Sequence, residues 1–209
     1  MSVTLIEQVM AGKAPGLLPL TVDQFHRMID TGILRDGEPV ELIDGVLVRK
    51  DCRAVGESTM AHSPRHALVV SRLQRLNPRI EPHVCHVRYQ LPVTLSDVQE
   101  PEPDAAVVRG ELEAYAVHHP EPTEIIAAIE VAESSLEYDR RTKQRIYATA
   151  GIPLYWIVNL PESQIEVYEM PVPAEGRYAR RTDYRPGQSV RLRLSPTVEI
   201  DVAVSEVLL

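Results

Sequence analysis

Four charged residues in this 209-residue sequence could do chemistry, and three of them stand in or beside segments expected to be buried. Glu130 interrupts the apolar run Ile125-Ile-Ala-Ala-Ile-Glu-Val131, and Asp104 stands at the mouth of a second, shorter run, Asp104-Ala-Ala-Val-Val108. A buried carboxylate needs a proton, a cation or hydrogen bonds, because leaving it unpaired costs several kcal/mol. If the two runs are neighbouring strands, carboxylates ~4 Å apart repel by about 4 kcal/mol at an effective dielectric near ~20. Such a pair must share a proton or bind a metal. A hard divalent ion such as Mg²⁺ suits it, since Mg²⁺ takes few carboxylates and keeps several waters. Taken alone, Asp104 reads equally well as a turn residue after proline.

The other two are Lys143 and Glu41. Of 22 basic residues 19 are Arg, and only Lys13, Lys50 and Lys143 are Lys, so a Lys inside an element raises a question. At about 100° per residue with Leu136 at 0°, Tyr147 falls near 20°, Lys143 near 340°, Ala150 near 320° and Ile146 near 280°. Lys143 therefore lies mid-stripe on the face expected to be buried. Snorkelling toward Asp139, four residues earlier, is the alternative, worth only about 0.3 to 0.5 kcal/mol when exposed. Glu41 lies in the first strand of a hairpin, where by itself it reads as a surface strand residue.

The positioning elements follow from periodicity and turn chemistry. Thr21-x-x-Gln24 is a capping box opening a short helix that ends at Gly32. Pro39 to Val48 holds two β-prone runs joined by Asp44-Gly45, a type I′ hairpin signal. Ser63-Pro64 starts a helix through about Asn77, carrying His66. Strands are expected at 84–93, 104–108, 125–131 and 154–158, and more exposed ones at 165–170, 178–184 and 190–194. Ser134-x-x-Glu137 is a second capping box, opening the helix that Gly151 and Pro153 terminate. The order αββαβββαβ with further strands indicates an α/β fold around a mixed sheet. Residues 1–20 read as a loose lead-in and residues 21–209 as one domain.

Pro103-Asp104, Glu130-Val131 at a strand end, Ser134-Ser135, Asp139, Lys143, Tyr147 and Gly151-Ile-Pro-Leu-Tyr155-Trp156 together resemble the Uma2 (DUF820) family of endonucleases. That family belongs to the PD-(D/E)XK, restriction-endonuclease-like superfamily. Glu41 within Glu-Leu-Ile-Asp-Gly45 and His66 within Pro-Arg-His extend the resemblance, which covers roughly residues 20 to 170. It implies a restriction-endonuclease-like mixed β-sheet flanked by helices. It also implies metal-assisted phosphodiester hydrolysis, with Asp104, Glu130 and the Val131 carbonyl holding Mg²⁺ or Mn²⁺ and Glu41 acting as a further acidic ligand, direct or through water. The superfamily lysine usually stands two residues after the Glu, where this chain has Ala132. The resemblance implies that Lys143 substitutes from the helix. Arg140, Arg141 and Arg145 flank Lys143 and could contact nucleic-acid phosphates, although helix solubility would account for each equally well. His66 reads as a packed or hydrogen-bonded histidine, or as one that positions substrate.

Nucleic acid, DNA foremost, is the implied substrate, and no base-reading motif points to sequence specificity. The second reading is a catalytically silent nuclease-like fold that binds nucleic acid or a partner protein; the net charge of −8 and Ala132 favour it. The charge is unevenly spread. Leu95 to Glu137 holds eleven acidic residues and one basic, whereas Tyr138 to Arg193 holds ten basic and six acidic. Zinc hydrolysis through His62-x-x-x-His66 or His83-x-Cys85-His86 fails on spacing: His62 precedes the expected cap, and His86 points away from His83 and Cys85 on a strand.

Composition excludes other classes. An apolar fraction of 44% with 25% charged residues is that of an ordinary globular chain. Its longest apolar stretches are far short of the roughly twenty residues that cross a bilayer, and the N-terminus lacks the pattern of a secretory signal. Cys52 and Cys85 cannot make a disulfide framework, so a reducing cytoplasm is the expected compartment. The apolar stretch from Val198 to Leu209 is expected either to cover a sheet edge or to form a homodimer contact.

Overall fold

The computed structural model describes residues 18–35, 37–50 and 63–208. Helix α1, Val22–Asp30, is opened by Thr21, whose hydroxyl accepts from Gln24 N–H while the Gln24 side chain returns a bond to Thr21 N–H. Strands β1, Val40–Ile43, and β2, Val46–Arg49, form the expected hairpin. Asp44 and Gly45 both adopt positive φ, 53° and 71°, as a type I′ turn requires. Gly45 is also sterically required, because a Cβ there would collide with Pro19.

Helix α2, Pro64–Leu73, is capped by the Ser63 hydroxyl on His66 N–H. The chain then continues through further short turns to His83. Strand β3, Cys85–Tyr89, is shorter than the expected span from 84 to 93. Val84 and Gln90 bracket it with left-handed backbone, φ 55° and 50°, and so take both ends out of the ladder.

Among the described residues six strands make the central sheet, in the order β3-β4-β5-β6-β7-β8. These are β4, Ala105–Arg109; β5, Ile125–Ala132; β6, Leu154–Asn159; β7, Gln164–Val172; and β8, Arg177–Tyr184. Only β5 and β6 run parallel, because the helical crossover joins them; the other neighbours are antiparallel. β5 and β6 are buried along their whole length, which explains their near-continuous apolar sequence.

That crossover comprises α3, Leu136–Tyr138, a π-helical turn, Asp139–Lys143, and α4, Gln144–Thr149. The expected capping box at Ser134 does not form. Ser135 is the cap residue, and its hydroxyl donates instead to the buried Asp139 carboxylate at 2.6 Å. A cap hydroxyl works by accepting from backbone N–H, and Ser135 stands in helical backbone, φ −86° and ψ −1°, rather than the extended form that a cap usually takes. Gly151, φ 75°, ends the helix as expected.

Each face of the sheet carries its own core. Ala128, Ala132 and Ile157 pack with Ile146, Tyr147 and Ala148 of the crossover, while Ile129, Val131, Trp156 and Val158 pack with Val69, Val70 and Leu73 of α2. The second face is completed by β9, Ser189–Ser195, β10, Val198–Ala203, and α5, Val204–Val207. The apolar C-terminal stretch therefore lies against the chain's own sheet: Val202, Val204, Val207 and Leu208 are all buried there.

In register on either side of Ile157 stand two buried glutamates, Glu130 and Glu166. Glu166 is fully enclosed yet well supplied: Arg140 Nε reaches it at 3.2 Å, Asn159 at 2.7 Å, the Tyr168 hydroxyl at 2.8 Å and Arg181 at 3.2 Å. Burial would raise its pKa, but these donors more than offset that and hold it below the ordinary value.

Candidate active site

The last antiparallel pair of β4 and β5 is Ala105 with Ile129, so Asp104 and Glu130 stand one step beyond it. At that point the ladder gives way to side chains. Val131 N–H donates to Asp104 Oδ2 at 2.8 Å, and Asp104 N–H points to Glu130 Oε2 at 3.4 Å. The two residues, 26 positions apart, are thereby neighbours.

Lys143 meets them from the helix. Its Nζ donates to Glu130 Oε1 at 3.1 Å and to Glu41 Oε1 at 2.7 Å. All three side chains are buried, with 4%, 6% and 3% of Lys143, Glu130 and Glu41 exposed. Asp139 does not bind the ammonium; Glu130 and Glu41 do. One turn on, the Tyr147 hydroxyl donates to Glu130 Oε1 at 2.8 Å. Lys143 and Tyr147 are four residues apart and so share a helix face. Glu41 is further fixed by Glu102 N–H at 2.7 Å, and Lys50 at the end of the hairpin pairs with the Glu102 side chain. From the opposite face of the sheet, His66 Nε2 lies 3.0 Å from Asp104 Oδ1.

Electrostatically the cluster is frustrated. Burial pushes the Glu130 carboxyl up to about 8; Lys143 opposes that rise, and Asp104, Asp139 and Glu41 add to it. Asp139 is raised to about 6, again by burial first, against the Ser135 hydrogen bond and Lys143. Burial also works against charge on Lys143, but Glu130 and Glu41 outweigh it and keep the ammonium protonated. For His66 the hydrogen bond and charge of Asp104 outweigh the burial that would lower it, so its pKa is raised.

The donor set suits a hard divalent cation. Glu130 Oε1 is taken up by Lys143 and Tyr147, while Oε2 faces the Asp104 backbone. Val131 turns its N–H toward Asp104, and the carbonyl of a strand residue leaves from the same edge as its N–H. The buried Tyr138 hydroxyl, in the field of Lys143, Glu41, Glu130 and Asp139, has no hydrogen-bond partner among the described residues. An unsatisfied buried hydroxyl beside crowded carboxylates is what a site for water or a ligand oxygen presents.

The arginines divide. Arg140 is engaged by Glu162 and Glu166, and Arg145 by Asp44, so both tie the crossover to neighbouring segments. Arg141 is largely exposed, with Glu137 its one ion-pair partner among the described residues, at 3.4 Å. His83 and His86 lie among the described residues, the latter bonded to the Gly110 carbonyl at 2.9 Å, whereas His62 lies outside them.

The Uma2 family, described as "Putative restriction endonuclease", matches residues 22–204. This chain belongs to the Uma2 family. Among solved structures, a chain from Anabaena variabilis described as a putative nuclease belonging to DUF820 shares 17% identity. The likeness covers 90% of this chain and 97% of that one, at a TM-score of 0.63. No curated protein matches the sequence. The fold of this Uma2 chain is restriction-endonuclease-like: a mixed, mostly antiparallel sheet flanked by helices.

Tyr147, Asp139 and Lys50 are the site's neighbours that spacing alone did not assign. Tyr147 had a usable signal, a polar tip on the buried stripe four residues after Lys143. Lys50 had another, being one of three lysines in an arginine-rich chain. Asp139 had a third, since at about 100° per residue it falls near 300°, between Ile146 and Ala150 on the stripe expected to be buried, although the turn there is π rather than α.

Proposed function

We propose that this Uma2 chain is a metal-dependent nuclease that hydrolyses phosphodiester bonds in nucleic acid, DNA foremost, using Mg²⁺ or Mn²⁺. The observation that carries the reading is the meeting of Asp104 and Glu130 one step past the last β4–β5 pair, with the Lys143 ammonium on Glu130. Asp104, Glu130 and the Val131 carbonyl would hold the ion, which supplies Lewis-acid polarisation of a phosphate oxygen and lowers the pKa of a bound water.

The chain's own groups do the rest. Lys143, anchored by Glu41, carries fixed positive charge into a site from which water is largely excluded, where it offsets negative charge developing on phosphorus oxygens. Tyr147 holds Glu130 Oε1, so that Oε2 stays turned toward Asp104. His66 and Val131 N–H fix the two Asp104 oxygens in the same way. Arg141, exposed and held only by the equally exposed Glu137 among the described residues, is the arginine of the crossover placed to meet a backbone phosphate; Arg140 and Arg145 contribute by bracing the helix that presents Lys143.

The test is incubation with single-stranded, double-stranded and branched DNA and with RNA, in Mg²⁺, Mn²⁺ or EDTA, alongside Glu130→Gln. Cleavage that requires a divalent ion and disappears in the variant is expected. Equal cleavage by variant and parent would mean a contaminant. Substrate binding without cleavage under any condition would leave a silent binding fold.

A further inference from the structure

A second cluster of metal-ligating side chains lies outside the carboxylate centre. His26 of α1, Glu100 and His119 each offer a ligand atom, and the three atoms lie within 4.8 Å of one another. His26 Nε2 is 2.6 Å from Glu100 Oε1, and the His26 and His119 rings meet edge to face at 5.9 Å between centroids. We propose that these residues form a further metal site, which takes a borderline transition ion, Zn²⁺ foremost, and clips three distant segments of the chain together.

The donor chemistry favours that class of ion. Two imidazoles and one carboxylate are a zinc-type set, whereas Mg²⁺ prefers oxygen and keeps its waters. Bonds of about 2.0 to 2.2 Å in a tetrahedron place ligand atoms roughly 3.4 Å apart, so small side-chain rotations within the observed cluster suffice.

The surroundings are organised around the same three groups. Glu100 is only 2% exposed and has no Lys or Arg partner among the described residues; its second oxygen accepts from the Thr94 hydroxyl at 2.8 Å. Thr94 N–H also binds the Pro120 carbonyl at 2.9 Å, so one residue orients the carboxylate and pins the loop that carries His119. Metal ligands are commonly oriented by such outer hydrogen bonds. One cation opposes an incoming ion: Arg88, lying over the Tyr115 ring at 5.4 Å, acts on His119. Glu100 must therefore supply the compensating charge.

The clip bears on the hairpin that carries Glu41. Glu100 exchanges backbone bonds with Leu42, at 2.8 and 3.3 Å, and Glu102 N–H holds Glu41. A metal on Glu100 would fasten this backbone pairing to α1 and to the 116–120 loop. The proposal does not rest on the nuclease reading.

The experiment titrates metal-stripped protein with Zn²⁺ against a chromogenic chelator, with thermal melting in parallel. One tight equivalent is expected, with a raised melting temperature and no displacement by millimolar Mg²⁺. His119→Ala and His26→Ala should each weaken it at least about tenfold, and Glu100→Gln more than either. Glu130→Gln should retain it. His119 sits on a loop, so its variant is expected to keep the parent's circular dichroism; His26→Ala, on a half-exposed helix face, gives an independent check. Absence of a tight equivalent, its survival in both histidine variants, or its loss in Glu130→Gln would overturn the site and leave a hydrogen-bonded cluster only.

Discussion

Glu130 and Glu166 face the same β6 residue, Ile157, from opposite sides, and both are buried, yet their environments differ in kind. Glu166 receives two guanidinium groups, an amide and a phenol, and its pKa falls below the ordinary value. Glu130 shares one ammonium with Glu41 and faces Asp104, and its carboxyl rises to about 8. Burial is the common factor, so the opposite shifts come from how many donors each is given. A fully supplied carboxylate is a structural joint. An undersupplied one stores unfavourable electrostatics that a cation can relieve, and such groups cluster at functional sites.

The largest expected effect separates the two roles. Glu130→Gln should reduce cleavage by about a thousandfold, roughly 4 kcal/mol of barrier, while stability in EDTA stays within about 1 kcal/mol of the parent because the acceptor for Tyr147 and Lys143 remains. Paired cleavage and denaturation measurements check this; a large loss of stability would put Glu130 in the same class as Glu166.

Glu166→Ala should behave in the opposite way. Arg140, Arg181, Asn159 and Tyr168 lose a shared acceptor, and stability should fall by about 3 to 5 kcal/mol, with cleavage per folded molecule retained. Urea unfolding, with activity normalised to the folded fraction, reads both.

Lys143→Met sharpens the contrast. Removing the ammonium leaves Glu41 and Glu130 without their shared cation, and a loss of about 2 to 4 kcal/mol is expected in EDTA. Saturating Mg²⁺ should restore more stability to this variant than it adds to the parent. Equal melting shifts in the two proteins would count against a cation site at Glu130.

A pH dependence belongs to Glu166. Its folded pKa lies below the unfolded one, so its stabilisation is present above about 4.5 and disappears as the pH falls through the folded value. Glu166→Gln should therefore lose less stability than the parent between neutral pH and the region below ~4.5. The smallest effect is that of Arg141→Ala: stability within about 0.5 kcal/mol, and a salt slope of DNA binding lower by about one.

Much of the site could be read before folding was considered. The strands and the crossover helix declare themselves by apolar period, and a carboxylate inside a run such as Ile125 to Val131 is a local anomaly visible in one dimension. The inward direction of Lys143 follows from helix geometry, since it and Tyr147 share a regular i, i+4 spacing. Less legible were the segments where backbone and side chains compete for partners. The Ser134 cap did not form: the helix begins one residue later, behind Ser135 in helical backbone, and the turn at Asp139–Lys143 widened to π.

Only the tertiary structure decided which charges became partners. Lys143 had Asp139 within local reach but binds Glu41, 102 residues away, because the hairpin and the helix converge over the same sheet end. Arg140 and Arg145 looked alike beside Lys143, and each was drawn to a carboxylate on a different element. The grouping of His26, Glu100 and His119 leaves no spacing signal at all. Periodicity is set by the bonded chain and is legible in sequence, whereas Coulombic and hydrogen-bond partners are chosen through space, after packing has fixed which surfaces meet.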